Sequence, residues 1–142
     1  MKTNEKVVDI YTDGASRGNP GDAAWAYVIL DTGEEVVASQ SGYIGTSTNN
    51  QAEYFAVIRA LQRAREITLR KVNIHSDSQL LVNQVTGKWK VKDSELQRLF
   101  QRVESLKEQF EEVTFTHLVR DNSHISEADE LCNQRLDEIQ SG

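Results

Sequence analysis

Hydrophobic and polar positions follow two periods along this chain, and the switch between them divides it into elements. Val7, Val8, Ile10 and Tyr11 have the β-branched and aromatic character of a buried strand, stopped by the turn formers Gly14, Gly18, Asn19, Pro20 and Gly21. Residues 23–30 read as a second strand, Asp31-Thr32-Gly33 as a turn and residues 35–44 as a third strand, which together make a meander. The period then changes. Thr48-x-x-Gln51 has the form of a capping box, and Tyr54, Val57, Ile58, Leu61 and Ala64 recur at helical spacing, predicting a helix from about residue 50 to 65.

Val72, Ile74 and Ser76 alternate with Asn73, His75 and Asp77 in a strand expected to end at Asp77. Residues 78–85 form a short helical stretch closed by Thr86-Gly87, and Ser94-x-x-Gln97 is expected to cap a helix with the stripe Leu96, Leu99, Phe100, Val103, Leu106 and Phe110. Residues 113–118 read as a last strand and residues 120–126 as a polar loop. Ala128, Leu131, Cys132, Leu136 and Ile139 then mark a terminal helix. Three strands in a meander followed by alternating helices and strands predict an α/β fold. Its five-stranded mixed sheet is antiparallel among the first three strands, with helices on both faces.

Bulk properties narrow the picture. A length of 142 residues suits one domain, read here as 1–142, with residues 1–5 expected to fray. No apolar run approaches a membrane span or an export signal, which sets the expectation of a cytoplasmic protein with no membrane partner. The single cysteine, Cys132, cannot form an internal disulfide; that agrees with a reducing compartment, and its spacing reads as core filler. The formal charge of −6 argues against a nucleic-acid partner unless specific residues answer it.

Four carboxylates stand where a structural role explains them poorly. Asp13 and Asp77 each end an apolar strand, where open α/β sheets bind ligands; Glu53 is expected in the first turn of its helix, and Asp129 flanks the apolar stripe of the last one. Taken singly, such residues are ordinary turn formers, caps or dipole partners. Together they form a hard oxygen set without cysteine or clustered histidine, suited to Mg²⁺ or Mn²⁺ rather than zinc. A pair of such ions is the arrangement used for in-line displacement at a phosphodiester. Asp9, Asp22, Asp93, Glu108, Glu111 and Glu112 read as solvated surface, and His75 and His117 as packed residues.

Three stretches then resemble a family: Tyr11-Thr12-Asp13-Gly14-Ala15-Ser16-Arg17-Gly18-Asn19-Pro20-Gly21, Thr48-Asn49-Asn50-Gln51-Ala52-Glu53, and His75-Ser76-Asp77-Ser78-Gln79. In order and separation they are similar to three signatures of type 1 ribonuclease H, and Ala128-Asp129-Glu130-Leu131 supplies a fourth. The resemblance covers nearly the whole chain. It implies the RNase H-like fold, two Mg²⁺ ions (with Mn²⁺ as a substitute) on Asp13, Glu53, Asp77 and Asp129, and cleavage of the RNA strand of an RNA–DNA hybrid to 5′-phosphate and 3′-hydroxyl ends.

By the same resemblance Asn19, Asn49 and Gln79 read the RNA strand and Thr48 helps hold a DNA phosphate. Asn50 joins this amide set on chemical grounds, since amides both give and accept hydrogen bonds, as testing a 2′-hydroxyl requires. The charge objection is answered by Lys88, Trp89, Lys90 and Lys92, a basic cluster interleaved with an aromatic and suited to a DNA backbone; the competing reading is a solvated loop with Trp89 tucked onto the core. Some family members carry a long basic insertion here, whereas this chain passes quickly from Gly87 to Ser94, so weaker and more salt-sensitive binding is expected. His124 is expected in the polar loop as an auxiliary to proton transfer or product release, a role that Arg120 fills in the alternative. Other superfamily nucleases, such as transposases, integrases and junction resolvases, share the acids but lack the asparagine set; a non-catalytic hybrid-binding module predicts the loss of an acid. A free-standing phosphatase leaves the amides unexplained, and nothing in the sequence demands more than a monomer.

Overall fold

The structure is a computed structural model that describes residues 6–119 and 122–141. Its elements in chain order are β1 (Val7–Gly18), β2 (Gly21–Leu30), β3 (Val36–Ser47), α1 (Asn49–Ala64), β4 (Lys71–Ser76), α2 (Gln79–Val85), α3 (Ser94–Lys107), β5 (Glu112–His117) and α4 (Ser123–Ser141). The expectation about residues 1–5 lies outside the described residues. The strands form one sheet in the order β3-β2-β1-β4-β5, antiparallel across β1, β2 and β3 and parallel across β1, β4 and β5.

The uninterrupted apolar run of β2 is explained by helices on both faces. Trp25, Tyr27 and Ile29 join the core under α1, α2 and α3, while Ala24, Ala26, Val28 and Leu30 pack against Ala128, Cys132 and Leu136 of α4. Alternate residues of a strand point to opposite faces, so a strand covered on both must be apolar throughout. On the α4 side small residues, Ala24, Ala26, Ala128 and Cys132, share the contact with Val28, Leu30 and Leu136.

Four boundaries differ from expectation in ways that matter for the site. β1 does not stop at Asp13 but continues to Gly18, because residues 14–18 pair with residues 21–25 in a long antiparallel hairpin. Its parallel partner β4, by contrast, stays with it only from Val7 to Tyr11. α1 begins at Asn49, which puts Glu53 beyond its first turn and removes the dipole explanation for that acid. Asp93, not Ser94, is the N-cap of α3, and Gln97 donates to the Val91 carbonyl instead of closing a capping box. α4 starts at Ser123, since the Asn122 side chain accepts the amides of His124 (3.0 Å) and Ile125 (3.2 Å) and Ile125 is fully buried. His124 therefore lies in a helix, not in a loop. The capping box of α1 is formed as expected, with Gln51 N–H on the Thr48 hydroxyl and Thr48 N–H on the Gln51 side chain.

Candidate active site

The last parallel pair between β1 and β4 is Tyr11 with His75. Asp13 and Asp77 each follow that pair by two residues, so they emerge side by side where the two strands part, the crevice at strand carboxyl ends that open sheets use for ligands. The third acid comes from above. Gly14 faces α1 so closely that a β-carbon there would lie 2.2 Å from the Ala52 carbonyl carbon and 2.3 Å from the Glu53 nitrogen. Its amide donates to Glu53 Oε1 at 2.7 Å, fixing the buried side chain over the strand. One carboxylate oxygen from each of Asp13, Glu53 and Asp77 lies within 4.8 Å of the others; the first two are buried and Asp77 is half-buried.

Asp129 is not part of that group of three. It sits half-buried on α4, where Asn133 Nδ2 donates to its Oδ2 at 3.3 Å. It is still close enough for its charge to bear on the Cys132 thiol, as do the charges of Asp13 and Glu53. That thiol is buried beneath the acids and donates to the Asp13 carbonyl at 3.4 Å. Burial, reinforced by these carboxylates, pushes its pKa far up, so it stays a neutral packing group, as expected of core filler.

The amide-bearing residues surround this centre. Asn19, in the exposed turn between β1 and β2, accepts the Asn49 backbone N–H on its Oδ1 at 3.0 Å, tying that turn to the first turn of α1. Asn49 and Asn50 are exposed, Thr48 is half-buried as the cap, and Gln79 is exposed at the start of α2 two residues beyond Asp77. Lys88, Trp89 and Lys90 are all exposed, Trp89 by 45%, so the indole is not tucked onto the core. The loop that carries them is nonetheless anchored. Asn83 O accepts the amides of Lys88 (2.8 Å) and Trp89 (3.0 Å), and Gln84, itself bonded to the buried Tyr54 hydroxyl, reaches the Lys90 carbonyl.

His75 is packed as expected: its ring stacks on Tyr11 at 4.7 Å and its Nε2 meets Asp9 Oδ1 at 2.9 Å. That pairing makes Asp9 a partner of a histidine rather than plain solvated surface. His117 is exposed, not packed, with Nε2 lying 3.3 Å from the Asp77 carbonyl oxygen. The His124 ring also lies against Tyr11, tilted, with centroids 4.8 Å apart, and its Nδ1 is 2.9 Å from Glu127 Oε1. Arg120 lies outside the described residues. Two contributors are not singled out by the sequence patterns above. Gly14 has the look of a turn former, although its place next to Asp13 in a hairpin strand is the signal of a close backbone approach; Asn133 is signalled by its i+4 spacing from Asp129.

Sheet order and acid placement mark the ribonuclease H-like class of folds. Residues 11–135 match the family described as Reverse transcriptase-like. Ribonuclease HI of Halobacterium salinarum is 40% identical over 131 residues, covering 92% of this chain and 65% of that protein. The crystal structure of RNase H1 from that archaeon matches with a TM-score of 0.88 at 40% identity, covering 93% of this chain and 98% of the other. LC11-RNase H1, solved in complex with an RNA/DNA hybrid, matches with a TM-score of 0.88 at 36% identity, covering 94% and 99%. The chain belongs to the type 1 ribonuclease H family. It spans 65% of the length of the Halobacterium protein and 36% of the bifunctional protein Rv2228c of Mycobacterium tuberculosis.

Proposed function

We propose that this chain is a metal-dependent endonuclease that hydrolyses the RNA strand of RNA–DNA hybrids to 5′-phosphate and 3′-hydroxyl products. The observation that carries the reading is the convergence of Asp13, Glu53 and Asp77 within 4.8 Å in a member of this family. Three carboxylates this close repel one another strongly unless a cation sits among them or one takes up a proton, and a set of hard oxygens fits Mg²⁺ or Mn²⁺. Asp13, Glu53 and Asp77, with Asp129 from α4, are the residues assigned to hold two such ions. When bound, the ions supply a nucleophile from water and stabilise the departing oxygen.

The protein's own side chains do the rest. Asn19, Asn49, Asn50 and Gln79 supply amides able to give and accept hydrogen bonds, which is what a test for the ribose 2′-hydroxyl demands; the Asn19 side chain is tied to the start of α1 by the Asn49 backbone N–H. Thr48 is assigned to a DNA phosphate, and Lys88, Trp89 and Lys90 to the DNA backbone and its sugars. His124 is assigned as the auxiliary group: Glu127 holds its Nδ1, while its Nε2 makes no hydrogen bond among the described residues. The reading includes a single domain over residues 1–142 acting as a monomer in the cytoplasm. Its support is one sheet with a core on each face and one buried cysteine; no helix among the described residues is long and apolar enough to cross a membrane.

The test is incubation with Mg²⁺ of a hybrid labelled on its RNA strand, beside single-stranded RNA, double-stranded RNA and double-stranded DNA. Cleavage of the hybrid alone, absent in Asp13→Asn, is expected. A sample inert toward the hybrid with either Mg²⁺ or Mn²⁺ overturns the reading.

A further inference from the structure

Arg17 lies on β1, four residues beyond Asp13, and both terminal nitrogens of its guanidinium contact α4. Nη1 donates to Gln140 Oε1 at 2.8 Å, and Nη2 meets Asp137 Oδ1 at 2.8 Å and the Asn133 carbonyl and Oδ1 oxygens at 3.3 and 3.4 Å. Asn133 passes the contact on. Its Nδ2 donates to the Asp129 carbonyl at 3.2 Å and to Asp129 Oδ2 at 3.3 Å.

The chemistry of this chain of contacts is directional. A guanidinium only donates and a carboxylate only accepts, so the group between them must accept on one side and donate on the other. An amide does both, and Arg17 on its oxygen forces its nitrogen toward Asp129. An aspartate at 133 offers no donor and adds a like charge; an alanine offers nothing. One strand thus carries Asp13 directly and governs Asp129 through the helix laid across it.

We infer that Arg17 and Asn133 are positioning residues that hold the Asp129 carboxylate in its working orientation toward the metal site. The inference rests on the assignment of Asp129 as a metal ligand made above. Partners that orient ligands in this way typically cost ~10-fold or more in metal affinity or activity when removed. A clasp that merely docks α4 lowers stability and leaves metal affinity alone.

The experiment compares Arg17→Ala, Asn133→Asp, Asp129→Asn and the double variant Arg17→Ala/Asp129→Asn. It follows Mn²⁺ affinity by calorimetry, kcat and KM on a hybrid, and thermal stability. Asn133→Asp keeps the side-chain shape and the contact with Arg17, so it folds even if Arg17→Ala does not. The expected result is a loss of about tenfold in Mn²⁺ affinity and in kcat, with KM for the hybrid unmoved, in Arg17→Ala and in Asn133→Asp. In the Asp129→Asn background Arg17→Ala then has no further effect on either quantity, because the residue it acts through is gone. Parent-like Mn²⁺ affinity in Asn133→Asp, or effects of Arg17→Ala that add fully to those of Asp129→Asn, overturns the inference while leaving the Asp129 assignment standing. Parent-like affinity and turnover in Asp129→Asn itself overturn that assignment, and the inference with it.

Discussion

The amide of Gly14 and the carboxylate of Glu53, 39 residues apart in the chain, meet at 2.7 Å. A strand and a helix can come this close only where the strand has no side chain, and this contact sets the height of Glu53 above Asp13.

Gly14→Ala is therefore expected to push α1 outward. A β-carbon 2.2 Å from backbone has no flexible neighbour to yield. Overpacking of this kind costs ~1–3 kcal/mol, and because the shift falls on a carboxylate, hybrid cleavage should fall at least ~10-fold, consistent with sub-ångström demands on catalytic geometry. Thermal denaturation and a cleavage assay on the same sample check both halves; unchanged turnover in a destabilised protein would separate α1 docking from the chemistry.

Metal removal and carboxylate removal should act in opposite directions on stability. In metal-free protein the three crowded acids repel one another, so Asp13→Asn is expected to raise metal-free stability by about 1–3 kcal/mol, the upper end being limited by screening at half-exposed Asp77. The parent is expected to gain stability on adding Mg²⁺, by ~2.7 kcal/mol at a hundredfold excess over the dissociation constant, and Asp13→Asn to gain little. Melting curves with Mg²⁺ and with chelator, for both proteins, are the measurement.

The exposed lysines at 88 and 90 should reveal themselves through salt. Deleting a cation that neutralises one phosphate reduces the slope of log affinity against log salt by about 0.7 to 0.9. Lys88→Ala and Lys90→Ala should each flatten the salt dependence of KM by that amount and leave kcat in place; a parent-like slope would assign these residues to solvent alone.

Alkaline conditions should expose the buried thiol. Burial raises the Cys132 pKa well above its ordinary value of 9.0, so the folded protein keeps a proton that the unfolded chain gives up. Below pH 9 both states hold it and the contribution to stability is complete. Above pH 9 that contribution declines by up to ~1.4 kcal/mol per pH unit, since only the unfolded state ionises. Denaturant titrations from pH 7 to 10.5 should show a shallower alkaline decline in Cys132→Ala than in the parent, and a thiol reagent at pH 8 should label the parent only after unfolding.

Much of the architecture is legible in the chain because it is written in local periods. The continuous apolar run of β2 announces a strand covered on both faces, and Thr48 with Gln51 announces the start of α1 to within a residue. What the sequence hides depends on partners distant along the chain. Nothing local says that residues 14–18 continue β1, since their glycines look like turn formers until residues 21–25 fold back to pair with them. Ser123 and His124 likewise look like loop until Asn122 caps them and Ile125 finds a buried site. The acids at 13 and 77 are recognisable from strand chemistry. The grip of Arg17 on Asn133 is not, because a helix face and a hairpin meet there only in three dimensions.

The two faces of the sheet are unequally held. α1, α2 and α3 share a broad core rich in large side chains, whereas α4 leans mainly on Ala24, Ala26, Val28 and Leu30 through Ala128, Cys132 and Leu136. Segments with little buried apolar surface open locally at less cost than the whole molecule unfolds. Backbone amides of α4 should then exchange with deuterium well ahead of those in α1, and in each such opening the protein keeps Asp13, Glu53 and Asp77 assembled while Asp129 swings away.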